Sequence, residues 1–260
     1  MPIVKINNIS VSYEVQGKGN PLVLIAGLGG GKSGWRYHSK FLKKYYQVIT
    51  FDNRGAGESE KPKGPYSIKQ MADDTVALMD HLGIRQAHIL GVSMGGTVAQ
   101  EVAINYPERT LKLILGCTYA SHDATNGRTP EWDNAINAFI KNGTTPSITL
   151  VLNKPLYRIL GFFLVKRQYS GMNESAKAGF AAQSEAAIKH NTLDRLPFIK
   201  APTLVLVGTG DKAIRPSSSR TLARLIPNAK LVEINNGSHG FSMENRGKFS
   251  QEVFNFLKND

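Results

Sequence analysis

The chain has 260 residues, of which 41% are hydrophobic and 20% charged, with 25 Gly and 12 Pro spread along its length; this composition allows a sizeable core and excludes a disordered or collagen-like chain. A formal net charge of +12 invites a nucleic-acid reading, but the excess is dispersed: 14 Lys and Arg face 9 Asp and Glu in residues 1–117, 9 face 6 in 118–198, and 9 face 5 in 199–260. No nucleic-acid partner is expected from so even a distribution. Cys117 is the only cysteine, which excludes an intramolecular disulfide and a cysteine metal cluster and fits a reducing cytoplasm.

Met1-Pro2-Ile3-Val4-Lys5 runs directly into strand-like alternation without the basic, apolar and small-residue segments of a secretion signal, so none is expected. Ile3 to Ile6 and Val11 to Val15 predict a hairpin turning at Asn7-Asn8. Six continuous apolar strands follow, as in a buried parallel sheet: Leu22 to Ala26, Gln47 to Phe51, Ala87 to Gly91, Leu111 to Leu115, Thr203 to Val207 and Lys230 to Ile234. The apolar runs within them are far shorter than the roughly 20 residues of a membrane-spanning helix, so stable membrane insertion is not expected. Lys32, Arg36, Lys40 and Lys44 recur every four residues and predict the solvated face of a surface helix, or else a surface that attracts an anionic substrate.

Ser67 opens a helical pattern carried by Ile68, Met71, Ala72, Thr75, Leu78, Met79 and Leu82 and stopped by Gly83. A last helix, around Asn245 to Lys258, places Phe249, Val253, Phe256 and Leu257 on one face. The alternation of strands and helices argues for a sheet covered on both sides. Between Thr118 and Lys200 the strand pattern vanishes, and short helices punctuated by Gly143, Pro146, Pro155 and Gly171 predict an inserted helical cap. The domains expected are thus a core of residues 1–117 and 201–260 and a cap of 118–200. The cap carries Trp132, Phe139, Ile140, Leu150, Leu152, Leu156, Tyr157, Leu160, Phe162, Phe163, Leu164 and Phe180; most should fix it to the core and a few should line a substrate cavity.

Gly91-Val92-Ser93-Met94-Gly95-Gly96 places a G-x-S-x-G motif between a strand and a helix. Small flanking residues suit a serine on a sharp strand-to-helix turn, where helix N-terminal amides point at developing negative charge. Such a serine needs a base, and the base an orienting group. Asp211 follows the strand Thr203 to Val207, and His239 follows the next strand, so all three side chains belong at one sheet edge in the order Ser, Asp, His. Asp123, beyond the strand ending at Leu115, is the alternative acid, disfavoured because it lies several residues into a polar loop.

These three residues, the Phe51-Asp52-Asn53-Arg54-Gly55-Ala56-Gly57-Glu58-Ser59 loop and Tyr106-Pro107-Glu108-Arg109 resemble the α/β-hydrolase superfamily over essentially the whole chain. The resemblance implies the α/β-hydrolase fold: a mainly parallel eight-stranded sheet, helices on both faces and an inserted cap. It further implies a nucleophile Ser93, a general base His239, an orienting acid Asp211, an oxyanion hole of the Leu28 and Met94 backbone amides, and no metal or cofactor. Ala26-Gly27 stands where the family commonly has His-Gly, which removes a side-chain support of that loop.

The Gly27-Leu28-Gly29-Gly30 to Trp35 stretch is most similar to small esterases, 3-oxoadipate enol-lactonases, aminoacrylate hydrolases and cofactor-free haloperoxidases. Ser93 argues against haloalkane dehalogenases and epoxide hydrolases, which use aspartate there. Gly240 after His239 argues against dienoate C–C hydrolases, which commonly have Trp. The activity expected is therefore that of a carboxylesterase-like serine hydrolase of small-molecule esters working through an acyl-enzyme. Lactone, enol-lactone or aminoacrylate hydrolysis, C–C bond hydrolysis and non-turnover ligand reception are the alternatives. Two rival readings complete the set: Ala26 to Ser33 nearly spells a phosphate-binding loop with Lys32 and Ser33 on phosphate and magnesium, and a fold never guarantees turnover.

Overall fold

Asn7 and Asn8 turn the chain with φ of 46° and 62°, the left-handed pair that a two-residue hairpin requires and asparagine tolerates. The turn joins β1 (Ile3–Ile6) to β2 (Ile9–Gln16), with Ile6 opposite Ile9. Beyond this antiparallel pair, β3 (Pro21–Ile25), β4 (Gln47–Phe51), β5 (Ala87–Val92), β6 (Thr110–Gly116), β7 (Thr203–Gly208) and β8 (Ala229–Ile234) run parallel to one another. The eight-stranded sheet has the order β1-β2-β4-β3-β5-β6-β7-β8. The chain thus takes the α/β fold that the sequence predicts. The computed structural model describes residues 2–123 and 125–258, with side chains for all of them except Leu160 and residues 162–168. Met1, Asn259 and Asp260 of the expected core, Ala124 of the expected cap, and the side chains of Leu160, Phe162, Phe163 and Leu164 lie outside the described residues.

Period-two alternation divides the sheet between two cores. Val23, Ile25, Ile89, Leu113, Leu115 and Val205 face α2 (Ile68–His81), α3 (Met94–Asn105) and α7 (Pro216–Leu225). Leu22, Leu24, Leu90, Ile114, Leu204 and Leu206 face α1 (Arg36–Leu42), the short α8 (Phe241–Glu244) and α9 (Arg246–Lys258). Both faces of the inner strands β3, β5, β6 and β7 are therefore largely dry, which is why they read as apolar runs, whereas β8 at the sheet edge exposes Lys230 and Glu233. Ser67 accepts a hydrogen bond from the Gln70 amide, and Gly83 at φ 67° ends the turn after α2.

Between β6 and β7 the chain forms α4 (Pro130–Asn142), α5 (Pro155–Ser170) and α6 (Glu174–Ile188). Gly143, left-handed at φ 77°, closes α4, while Pro155 is the first residue of α5 rather than a break before it. No helix among the described residues is long and apolar enough to cross a membrane.

The expected basic helix face does not exist as such. Lys32 lies in a 3-10 turn (Lys32–Trp35) ahead of α1, its side chain buried, and only Arg36, Lys40 and Lys44 are exposed. Its ammonium meets Ser12 Oγ at 2.9 Å, Asp52 Oδ2 at 2.8 Å and Glu58 Oε2 at 2.8 Å. Burial works against the charge, but hydrogen bonds and attraction from Asp52 and Glu58 hold the Lys32 ammonium above its ordinary range. Fourfold spacing misled at Lys32, where the backbone is a 3-10 turn and carboxylates surround the ammonium.

Two buried histidines give the fold a pH dependence. His38 packs its ring on Phe249 and places Nδ1 2.8 Å from Ser250 Oγ, and burial, with the Arg246 charge nearby, pushes it down to about 4. Burial likewise pushes His190 down to about 4, Arg195 adding to the effect and Glu101 opposing it. Unfolded histidine titrates near ~6.5, so between these values the unfolded chain binds more protons than the folded one. Stability is full above pH 6.5 and is lost as pH falls towards 4, by on the order of 3 kcal/mol per histidine. Urea unfolding across this range should show that loss, and His38→Asn should remove about half of it; a pH-independent midpoint would contradict the burial argument.

Candidate active site

The turn from β5 into α3 holds Ser93 at φ 54° and ψ −126°, a conformation that costs a non-glycine residue on the order of 1–3 kcal/mol. Neighbouring glycines make it feasible. A Cβ on Gly91 would lie 2.0 Å from the Gly95 carbonyl oxygen, one on Gly95 2.2 Å from the Ile25 oxygen, and one on Gly96 2.6 Å from the Thr118 side chain. The Ser93 amide donates to the Gly116 carbonyl at 2.8 Å, and its own carbonyl accepts from Thr118 Oγ1 at 2.7 Å.

The loops after β7 and β8 bring up the other two residues. They meet backbone to backbone, a Cβ on Gly208 falling 2.2 Å from the Gly237 oxygen, while the Gly210 amide donates to Gly237 at 2.9 Å. His239 Nδ1 then lies 2.9 Å from Asp211 Oδ2 and Nε2 3.1 Å from Ser93 Oγ. The other Asp211 oxygen accepts from the Ala213 and Ile214 amides at 2.8 and 2.9 Å. An ionised carboxylate only accepts, so Nδ1 carries the proton and Nε2 is left to accept from the serine hydroxyl. Ser, His and Asp in this chain of hydrogen bonds can activate the hydroxyl for attack on an electrophilic carbon.

Asp123 takes no part in that chain. Its carboxylate accepts from Ser121 Oγ, the Thr125 amide and hydroxyl, and the Asn126 amide, bonds that hold it below the usual carboxylate range. Cys117 does lie at the site, its sulfur within 4.8 Å of ligand atoms of Asp211 and His239. Burial, with the Asp211 charge, pushes its thiol well up and keeps it neutral.

Met94 follows Ser93 directly, and the turn carrying Leu28 packs against Ser93 through Gly27. Met94 is the first residue of α3, so its amide has no intrahelical acceptor. Leu28 occupies the turn Gly27 to Gly30, closed by the Gly30 amide on the Gly27 carbonyl at 3.0 Å, and a Cβ on Gly27 would come 3.6 Å from Ser93 Oγ. Side-chain support for this loop exists, from Asn53 and Asp52 of the Phe51–Ser59 loop and from Gln183, which the sequence does not single out. Asn53 Nδ2 donates to the Ala26 carbonyl at 3.2 Å, Asp52 Oδ1 accepts from the Lys32 amide at 2.7 Å, and Gln183 Oε1 accepts from the Gly29 amide at 2.9 Å.

The segment between β6 and β7 lies over this edge. Leu28 packs against a cluster containing Trp132, Phe139 and Phe180, and the Trp132 ring centroid is 6.1 Å from that of His239. Val151 accepts from the Gly240 amide at 2.7 Å, and a Cβ on Gly240 would fall 2.5 Å from Leu152. A cavity of about 220 Å³ opens beside the loop, lined by Gly29, Gly55, Lys61, Met172 and Phe180 among others. A larger recess of about 360 Å³, between Asp80 and Arg109, touches none of these site residues.

Residues 20–246 match the sequence profile of the alpha/beta hydrolase fold. The chain belongs to the α/β-hydrolase family. It is 30% identical, over 95% of its length and 96% of the relative's, to a protein of Caulobacter segnis assigned as the carbamate hydrolase RutD. Among solved structures, the enol-lactonase of Burkholderia xenovorans superposes with a TM-score of 0.89 at 29% identity, covering 99% of this chain and 100% of that one. A thermophilic esterase of Thermogutta terrifontis, crystallised with malate, gives 0.84 at 28% identity, covering 99% and 98%. The phosphate-loop reading falls with this result, and the geometry gives the reason: all three Lys32 ammonium hydrogens are directed at Ser12, Asp52 and Glu58.

The two candidate acids of this α/β hydrolase separate cleanly. Asp211→Asn should lower kcat on an activated ester by on the order of 10⁴, the cost of losing the group that orients a catalytic histidine, whereas Asp123→Asn should leave kcat within about twofold. Steady-state kinetics of both variants decides, and the reverse ranking would move the role to Asp123.

Proposed function

We propose that this α/β hydrolase is a serine hydrolase of small carboxylic esters that works through an acyl-enzyme. The observation that carries the reading is the continuous hydrogen-bonded chain from Ser93 Oγ through His239 to the buried Asp211. Ser93 attacks the acyl carbon as His239 takes its proton. The Leu28 and Met94 amides hold the oxyanion, His239 protonates the leaving alcohol, and water releases the acid by the same steps in reverse. The core of residues 1–117 and 201–260 supplies this machinery, and the cap of residues 118–200 encloses the substrate.

Apolar groups from the cap, Trp132 and Phe180 among them, favour a short acyl chain at about 0.8 kcal/mol per buried methylene until the space is filled. Lactone hydrolysis is the second reading, favoured by the full-length likeness to the enol-lactonase; the same attack opens the ring and leaves the alcohol attached to the acyl group. Malate in the related esterase adds weight to a substrate bearing a carboxylate. C–C bond hydrolysis is disfavoured, because Leu152 and Val151 occupy the space a side chain on Gly240 would need.

Ser93→Ala should reduce turnover at least ~10³-fold while leaving the unfolding transition in place. For the wild type, kcat/KM on p-nitrophenyl esters should rise from acetate to a maximum at short or medium chains and then fall. A flat series beside fast opening of a carboxylate-bearing lactone would select the second reading, and robust hydrolysis of emulsified long-chain triglyceride would overturn an enclosed site. Tight binding without turnover of either class would make the protein a receptor.

A further inference from the structure

Gln183 lies on α6, more than 150 residues beyond the turn that contains Leu28, yet its side chain is fully buried between two core loops. Oε1 accepts from the Gly29 amide at 2.9 Å and Nε2 donates to the Arg54 carbonyl at 2.7 Å. Only one orientation of the carboxamide satisfies both groups, since an amide N–H needs the oxygen and a carbonyl needs the nitrogen. The same helix face makes the approach possible. Gly179, one turn earlier, packs against Gly55 so closely that a Cβ would fall 2.4 Å from the Gly55 oxygen, and Phe180 covers Gly29, where a Cβ would fall 2.7 Å from the ring.

The turn that Gln183 holds has a specific mode of loosening. Gly29 sits at φ 64° while Leu28 is not left-handed, so Gly27 to Gly30 is a type II turn. Its middle peptide, between Leu28 and Gly29, is the one whose rotation interconverts type II and type I. The Gly30 amide pins the first peptide through the Gly27 carbonyl; Gln183 pins the second through the Gly29 N–H. The Leu28 N–H lies in the first peptide with the Gly27 carbonyl, and holding the second peptide to Gln183 keeps the turn that carries it from shifting as a whole.

We propose that Gln183 is a positioning residue through which the docking of α6 sets the Leu28 amide for oxyanion stabilisation, so that the hole is complete only when the inserted segment is seated. This inference rests on the acyl-transfer reading above. Gln183→Met keeps length and bulk but loses both hydrogen bonds. It should lower kcat by about 10- to 100-fold, the scale of a sub-ångström to ångström misplacement of a catalytic group, with KM within about twofold and circular dichroism unchanged.

Gln183→Glu tests the same role without depending on the first variant's folding. A buried carboxylate cannot donate to the Arg54 carbonyl, but a protonated carboxyl can bond both partners, and burial favours that form. The ratio of kcat for Gln183→Glu to that of the wild type should therefore rise as pH is lowered from 8 to 5.5. A KM increase with kcat preserved in Gln183→Met, or a pH-independent ratio in Gln183→Glu, would overturn the inference. If the wild type hydrolyses neither ester nor lactone, the acyl-transfer reading itself falls. If the wild type is active and Gln183→Met keeps its kcat, only the role of Gln183 falls.

Discussion

A serine held at φ 54° by its surroundings is the constraint on which the rest of the site depends. Left to itself, the residue would relax into an ordinary extended or helical conformation and withdraw its hydroxyl from the sheet edge. It is prevented by hydrogen bonds from both sides, to Gly116 and from Thr118, and by the packing of α3 directly on the end of β3 through Gly95. The cost of the turn is spread over strands β3, β5 and β6. A side chain on Gly91, Gly95 or Gly96 must push α3 away from the sheet edge or from Thr118.

Once that position is set, two further close contacts complete the arrangement. Gly208 against Gly237 fixes the Asp211 loop to the His239 loop, and Gly27 against Ser93 fixes the turn carrying Leu28. The inserted segment ties into both. Asn153 Nδ2 reaches the Gly210 carbonyl at 3.0 Å, the Asn153 and Lys154 amides share Glu244 Oε1 at 2.7 Å, and Ser238 donates to the other oxygen of Glu244 at 2.6 Å. The segment is thus bonded to the histidine loop on one side and, through Gln183, to the Leu28 turn on the other. Buried charge reinforces the scaffold below: Arg54 holds Asp74 with bonds of 2.6 and 2.8 Å, and Asn7 also donates to Asp74. Removing one partner of such a pair typically costs about 3–5 kcal/mol.

What could be read in the sequence divides along physical lines. Strands buried on both faces announce themselves as apolar runs, and their parallel order follows from the helices between them. The serine, aspartate and histidine were legible because each follows a strand, and parallel strands deliver their carboxyl ends to one edge. Lys32 was misread because charge spacing says nothing about whether the backbone is α-helical or which carboxylates will surround it. Gln183 was missed because a single polar residue carries no local pattern, and its contact to Gly29 spans 154 positions; Asn53 was legible only as part of the Phe51–Ser59 loop, and its bond to Ala26 was not. In retrospect Gly179, Phe180 and Gln183 share one helix face, a small residue, an aromatic and a donor–acceptor group; that is a weak sign of close helix docking on backbone. The apolar residues between β6 and β7 were recognisable as a group, but the placement of Trp132 near His239 depends on the path of the whole segment.

The central claim is that Ser93 is the acylated nucleophile, and chemical labelling of the intact protein tests it most directly. A fluorophosphonate should add once per chain, on the peptide containing Ser93, and abolish ester and lactone turnover in the same proportion as it labels. Turnover that survives complete labelling of Ser93, or a label confined to another residue, would contradict the account.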